Sequence, residues 1–142
     1  MSIATTVAGR STCVRRQIGA IIVKDRMILS TGYNGAPRGV AHCIDTGCIR
    51  NENNIPSGER HEFCKAVHSE QNAIIQASRH GVEICDGDMY VTTFPCVICA
   101  KMIINAGLKT VYYTGEYSDG YGKDMALEYF GEAGISIKRL KV

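Results

Sequence analysis

His68-Ser69-Glu70 and Pro95-Cys96-Val97-Ile98-Cys99, 25 residues apart from Glu70 to Pro95, constrain the fold of this chain most. One imidazole and two thiolates suit a zinc ion, which takes nitrogen and sulfur donors in a tetrahedron. Ligands from two distant segments can meet on one ion only if those segments begin side by side. Three ligands leave a fourth position for water, whose pKa a bound metal lowers to about 7. Glu70 is not needed as a ligand and is free to move protons. Two thiolates and a neutral imidazole also cancel the 2+ charge of zinc. A structural Cys₂His-Glu zinc site is the alternative, in which a further residue closes the shell.

The pattern around the motifs is that of alternating elements. Ile3 to Arg10 reads as a short helix, with Gly9 near its end. Gly19 to Val23 and Met27 to Thr31 read as a strand hairpin turning at Lys24-Asp25-Arg26. From Asn34 to about Lys65 the chain is rich in Gly, Asn, Pro and Cys and has no clear period. A connection of that length in a compact domain is usually functional or pinned. Val67 to His80 has helical spacing at Val67, Ala73, Ile74 and Ala77, and Gly81 stops it. Asp88 to Thr92 is a strand, Cys96 to Ala106 a helix between Pro95 and Gly107, and Lys109 to Thr114 a strand. Asp124 to Ala133 is a helix ending at Gly134, and Ile135 to Leu140 a final strand. This order, αββ–loop–αβαβαβ, predicts one layered α/β domain over residues 1–142 with about five strands. Both motifs then open helices. Cys96 and Cys99 share a helix face, and the positive helix end favours their thiolates.

Composition excludes some alternatives. With 142 residues, 45% hydrophobic, the chain can fill a core of its own. A net charge of +2 and a pI near 8.2 do not describe a dedicated nucleic-acid binder. The basic residues, among them Arg15-Arg16, Lys24, Arg26, Arg38 and Lys138-Arg139, are scattered. No run approaches the roughly 20 apolar residues of a membrane span. Seven cysteines without a secretory leader read as an intracellular protein, where Cys clusters point to metal rather than disulfides.

H-x-E followed by P-C-x-x-C resembles the zinc deaminases that act on nucleobases. In that chemistry water replaces an exocyclic ring amine, and the glutamate ferries protons from water to ring nitrogen to departing ammonia. Gly32-Tyr33-Asn34-Gly35, Ser11-Thr12-Cys13, Val91-Thr92-Thr93-Phe94-Pro95-Cys96 and the stretch from Ala106 to Tyr113 resemble deoxycytidylate (dCMP) deaminases of bacteria and their phages. The similarity runs from about Ser11 to Leu140.

This resemblance implies a three-layer α/β/α sandwich that converts dCMP to dUMP and ammonia in the cytoplasm. It implies a hexamer, activated by dCTP and inhibited by dTTP, with Mg²⁺ accompanying the triphosphate. His68, Cys96 and Cys99 would hold the catalytic zinc and Glu70 would shuttle protons. Asn34 would contact the nucleotide, or occupy a left-handed turn position instead. Tyr117 would sit near the substrate phosphate, or pack as an ordinary aromatic. Gly32, Tyr33, Asn34, Gly35 and Arg79 match positions tied to effector binding, although Arg79 could simply complement its helix dipole. Cys13, Cys43, His61 and Cys64 would form a second, structural zinc site, with His42 and Cys48 as rival ligands and free thiols as the alternative. Cys85 lies apart.

The chain departs from the family at Ser69, commonly Ala, and at Gln71, commonly apolar, which suggests a polar helix face at a subunit contact. The first helix is short beside those of many relatives. The segment Asp119–Lys123 is expected to order on ligand binding. Adenosine and guanine deaminases share the zinc parts but usually carry Glu where Phe94 stands here. Free-cytidine deaminases usually lack Gly-Tyr-Asn-Gly. A zinc module that only binds a partner is the non-enzymatic alternative.

Overall fold

The computed structural model describes residues 1–117 and 121–142. Five strands form one mixed sheet in the order β2-β1-β3-β4-β5. β1 (Gly19–Lys24) and β2 (Met27–Tyr33) are the expected antiparallel hairpin. Its turn narrows to Asp25 and Arg26, both at positive φ (52° and 64°), as a two-residue turn matched to strand twist requires. β1 runs antiparallel to β3 (Asp88–Thr93), whereas β3, β4 (Thr110–Gly115) and β5 (Ser136–Arg139) are parallel. Parallel neighbours need crossovers, and α5 (Val97–Asn105) and α6 (Tyr121–Glu132) supply them.

Two glycines identify the layers. A Cβ on Gly19 would lie 2.2 Å from the Ala4 carbonyl oxygen in α1 (Ser2–Ala8). A Cβ on Gly32 would lie 2.1 Å from the Ser69 carbonyl oxygen at the start of α4 (Ser69–Arg79). Gly19 pairs with Tyr33, and its neighbour Ala20 pairs with Gly32. Because successive residues face opposite sides of a sheet, α1 and α4 cover opposite faces. The three layers are those expected, with a thin one made by α1. The main core lies on the other face. There Ala20, Ile22, Met89, Val91 and Val111 pack against Ala73, Ala77, Ala100, Ile103, Ala126 and Phe130.

The long stretch after β2 is less irregular than its composition suggests. It holds α2 (Cys43–Thr46), α3 (Ile49–Glu52) and a 3₁₀ turn at His61–Phe63. Four-residue helices carry no periodic signal, so spacing could not reveal them. α4 starts at Ser69 rather than Val67, because Val67 is held in a β-bridge with Gly35. α6 begins at Tyr121, so residues 121–123 of the expected Asp119–Lys123 loop form a helical turn. Asp119 and Gly120 lie outside the described residues. No helix among the described residues is long and apolar enough to cross a membrane.

Candidate active site

The two motifs meet where two helices begin. His68 is the N-cap of α4 and Cys96 the N-cap of α5, both with extended backbone (φ −72°, ψ 157° and φ −66°, ψ 165°). Cys99 follows in the first turn of α5. His68 Nδ1 lies 3.5 Å from Cys96 Sγ and 3.4 Å from Cys99 Sγ. Tetrahedral zinc, with bonds of about 2.3 Å to sulfur and 2.0–2.1 Å to nitrogen, sets these atoms about 3.6 Å apart. Among the described residues this is the one group of three or more His, Cys, Asp or Glu whose ligand atoms all lie within 4.8 Å of one another. The donors therefore fit zinc in kind and in spacing.

Without metal the two thiols differ in protonation. The Cys96 thiol is held at about 4, first by the hydrogen bond from Cys99 and then, against burial, by that from His68. Cys99 goes the other way, pushed well above its usual range by the same bond to Cys96 and by burial. The pair thus shares one proton in the absence of metal. Burial lowers His68, but its hydrogen bond to Cys96 and the charge of Glu70 outweigh this and raise it.

Glu70 sits beside this cluster with 3% of its surface exposed. Burial raises its pKa, and the charge of His68 offsets this only in part. The Ser69 hydroxyl, wholly buried, donates to Glu70 Oε2 at 2.8 Å. Gln71 turns back so that its Oε1 accepts the His68 backbone N–H at 2.9 Å. That bond is one half of a capping box and fixes the start of α4.

Gly32 to Gly35 cradle the same turn. The Cβ-free Gly32 lets β2 press on the Ser69 and Ala73 backbone. Gly35 exchanges backbone hydrogen bonds with Val67 at 3.2 and 2.8 Å, immediately before His68. The Asn72 side chain donates to the Tyr33 carbonyl at 2.7 Å. Asn34 is buried and lines the cavity above the zinc ligands. It is not in a left-handed turn conformation. Its Oδ1 accepts the Ile18 N–H and its Nδ2 donates to the Arg16 carbonyl, both at 2.8 Å. Arg79 is exposed in the last turn of α4 and does not line this cavity.

Tyr117 does line it, buried, with its hydroxyl 3.0 Å from His61 Nε2 and the Arg16 guanidinium 5.3 Å above its ring. Phe94 is buried in the wall, edge-on to Tyr113. Cys13, Cys43, Cys48 and Cys64 form another part of the wall. Burial first, then the neighbouring Cys48, Cys13 and Cys64, raise the Cys43 thiol against the opposing charge of Lys65. His61 faces the Tyr117 side, 5.4 Å ring to ring from His68, and His42 Nδ1 lies 3.1 Å from Thr12 Oγ1. Of the expected second-site residues, Cys13, Cys43, Cys64 and the rival Cys48 line one wall, but no three of these residues bring their ligand atoms within 4.8 Å of one another, and His61 and His42 make the contacts above. The chain pattern did not single out Arg50, which also lines the cavity. Its position two residues after Cys48 in the Cys-rich stretch is the only hint.

Residues 1–115 match the family described as the cytidine and deoxycytidylate deaminase zinc-binding region. The chain is 38% identical over 136 residues to ComE operon protein 2 of Bacillus subtilis, covering 96% of this chain and 66% of that protein. It is 38% identical over 121 residues to the deoxycytidylate deaminase of Mycobacterium phage D29, covering 82% and 91% of the two chains. It spans less than half the length of the yeast deoxycytidylate deaminases it matches. The fold superposes with TM-score 0.77 and 29% identity on the dCMP deaminase of cyanophage S-TIM5 in complex with dCMP and dUMP, covering 98% of this chain and 92% of that one. By the match to residues 1–115 and by these relatives, the chain belongs to the cytidine and deoxycytidylate deaminase family.

Proposed function

We propose that the chain hydrolyses dCMP to dUMP and ammonia. The observation that carries this reading is the cluster of His68, Cys96 and Cys99 at the cavity that buried Glu70 lines with His68 and Cys96. Zinc on those three ligands would supply Lewis acidity and lower the pKa of a water in the open position. Glu70 takes a proton from the attacking water and gives it to the ring nitrogen beside the reacting carbon. It then carries the second proton to the departing amine. A C–O bond forms and a C–N bond breaks. One water proton stays on the ring and the other leaves with ammonia.

Kinship with the phage D29 enzyme and with the cyanophage protein bound to dCMP and dUMP supports the choice of substrate. In this reading Asn34 and Tyr117 border the nucleotide from the cavity wall. Gly32 to Gly35 and Arg79 would answer to dCTP as activator, with Mg²⁺, and to dTTP as inhibitor, in a cytoplasmic hexamer. A second zinc would draw on Cys13, Cys43, His61 and Cys64, with His42 and Cys48 as rival ligands.

An ammonia-release assay over dCMP, CMP, deoxycytidine, dCTP and adenosine, with and without dCTP or dTTP, tests the proposal. Preferred turnover of dCMP is expected. A preference for deoxycytidine would sink the nucleotide reading. Metal analysis of purified protein should find two zinc ions per chain, and one only would remove the second site.

A further inference from the structure

Arg50 on α3 is 93% buried, with 7% of its surface exposed. Its Nη2 donates to the Pro56 carbonyl at 2.9 Å, and its buried Nε has no hydrogen-bond partner. Among the described residues no carboxylate lies within 4.0 Å of it. A buried guanidinium without a counter-charge is costly, and structures usually compensate one with an anion. Arg15, from the other side of the cavity, donates through Nη1 to the adjacent Ile55 carbonyl at 3.0 Å. Two guanidinium groups are therefore moored on neighbouring carbonyls, with N–H groups to spare. Arg16 adds a third over Tyr117, its backbone carbonyl fixed by Asn34. All three arginines line the cavity that holds Glu70, and Glu70 is the sole carboxylate among its described lining residues.

We infer that Arg50, flanked by Arg15 and Arg16, seats the substrate's phosphate monoester and so selects a nucleotide over a nucleoside. The inference rests on the nucleotide reading above and assigns a specificity determinant to the same site. Guanidinium groups suit a phosphate dianion because their planar fork offers paired charge-assisted hydrogen bonds. The moored Arg50 and Arg15, with Arg16 over Tyr117, offset such a dianion, while the ring end remains near Glu70.

The test measures kcat/KM for dCMP and for deoxycytidine with zinc-loaded wild type, Arg50→Gln and Arg16→Gln. The ratio of the two values should fall by about tenfold to a hundredfold in Arg50→Gln, the range for a lost hydrogen bond to a charged group. An equal fall for both substrates in a folded, zinc-loaded variant would make Arg50 a structural residue and overturn the inference. So would a change confined to the dCTP or dTTP response, which would place an effector phosphate there. If Arg50→Gln does not fold, Arg16→Gln is read in the same way. Inorganic phosphate titrated into wild type should raise the KM for dCMP, and no effect up to tens of millimolar would also overturn it. Absence of dCMP turnover in wild type would sink the parent reading alone. Calorimetric titration with inorganic phosphate would still report on the seat, and no binding there would sink it too.

Discussion

Glu70 is buried beside His68, and burial raises its pKa. A carboxyl so placed takes a proton and gives it back, because its two forms lie closer in energy near neutral pH. Glu70→Gln keeps the volume and removes the carrier. Deamination should fall by about a hundredfold to ten-thousandfold, while zinc content by mass spectrometry stays at the wild-type level. Retained turnover would take Glu70 out of the mechanism. Ser69 is the finer case. Its hydroxyl stabilises the ionised carboxylate, so Ser69→Ala should raise the Glu70 pKa further. The ionised, proton-accepting form then appears only at higher pH, and the acid limb of the kcat/KM profile should move up. A hydrogen bond to a charged group is worth about 1.5 kcal/mol, or roughly one pH unit, and an unmoved limb would show the bond to be idle. The zinc donors and Glu70 were legible because their residue types and spacing name the chemistry. Ser69 reads only as a tolerated small residue, since its role depends on which way the Glu70 side chain turns. Spacing carries no such information.

Helix and strand starts carry the site, so the contacts that fix those starts matter as much as the ligands. The hairpin, the crossover helices and their order were readable from period, Pro95, Gly81 and Gly107. The cradle under α4 was not. Gly32 and Gly35 stand out in the sequence as a Gly-Tyr-Asn-Gly segment, but what they touch, the Ser69 carbonyl and Val67, lies more than 30 residues away in sequence. Asn34 likewise shows its main described bonds to Arg16 and Ile18, a non-local pairing that no local pattern announces. Gly32→Ala tests the cradle. Its new Cβ would meet two backbone atoms of α4, the Ser69 oxygen at 2.1 Å and the Ala73 nitrogen at 2.4 Å, so the helix itself must shift. Overpacking of this kind costs about 1–3 kcal/mol. The urea midpoint should drop, and because the same turn carries His68, zinc should be lost at lower chelator concentration. An unchanged midpoint together with normal zinc retention would show that β2 and α4 can separate without consequence.

Across the whole molecule the sheet brings α4 and α5 to the same edge of the core, and a metal would tie their starts together. In the metal-free state Cys99 keeps a proton that it shares with Cys96. Zinc takes thiolates only, so that proton must leave when metal binds. The sign follows from the direction of the shift. A group whose pKa is raised holds its proton through neutral pH, and each step toward alkali makes its removal easier. Zinc affinity of the metal-free protein should therefore rise between pH 6 and pH 8, by about tenfold per pH unit for each proton released. The raised pKa of His68 acts in the same direction at the acid end of that window. Since metal binds the folded chain and not the unfolded one with this geometry, thermal stability should rise with zinc occupancy and fall on chelation. Competition against a chromophoric chelator at pH 6, 7 and 8, with the melting temperature followed in parallel, measures both. An affinity flat across that window would mean that both thiols are already ionised in the metal-free protein. The shared proton between Cys96 and Cys99, and with it the pH-dependent loading of the site, would then be wrong.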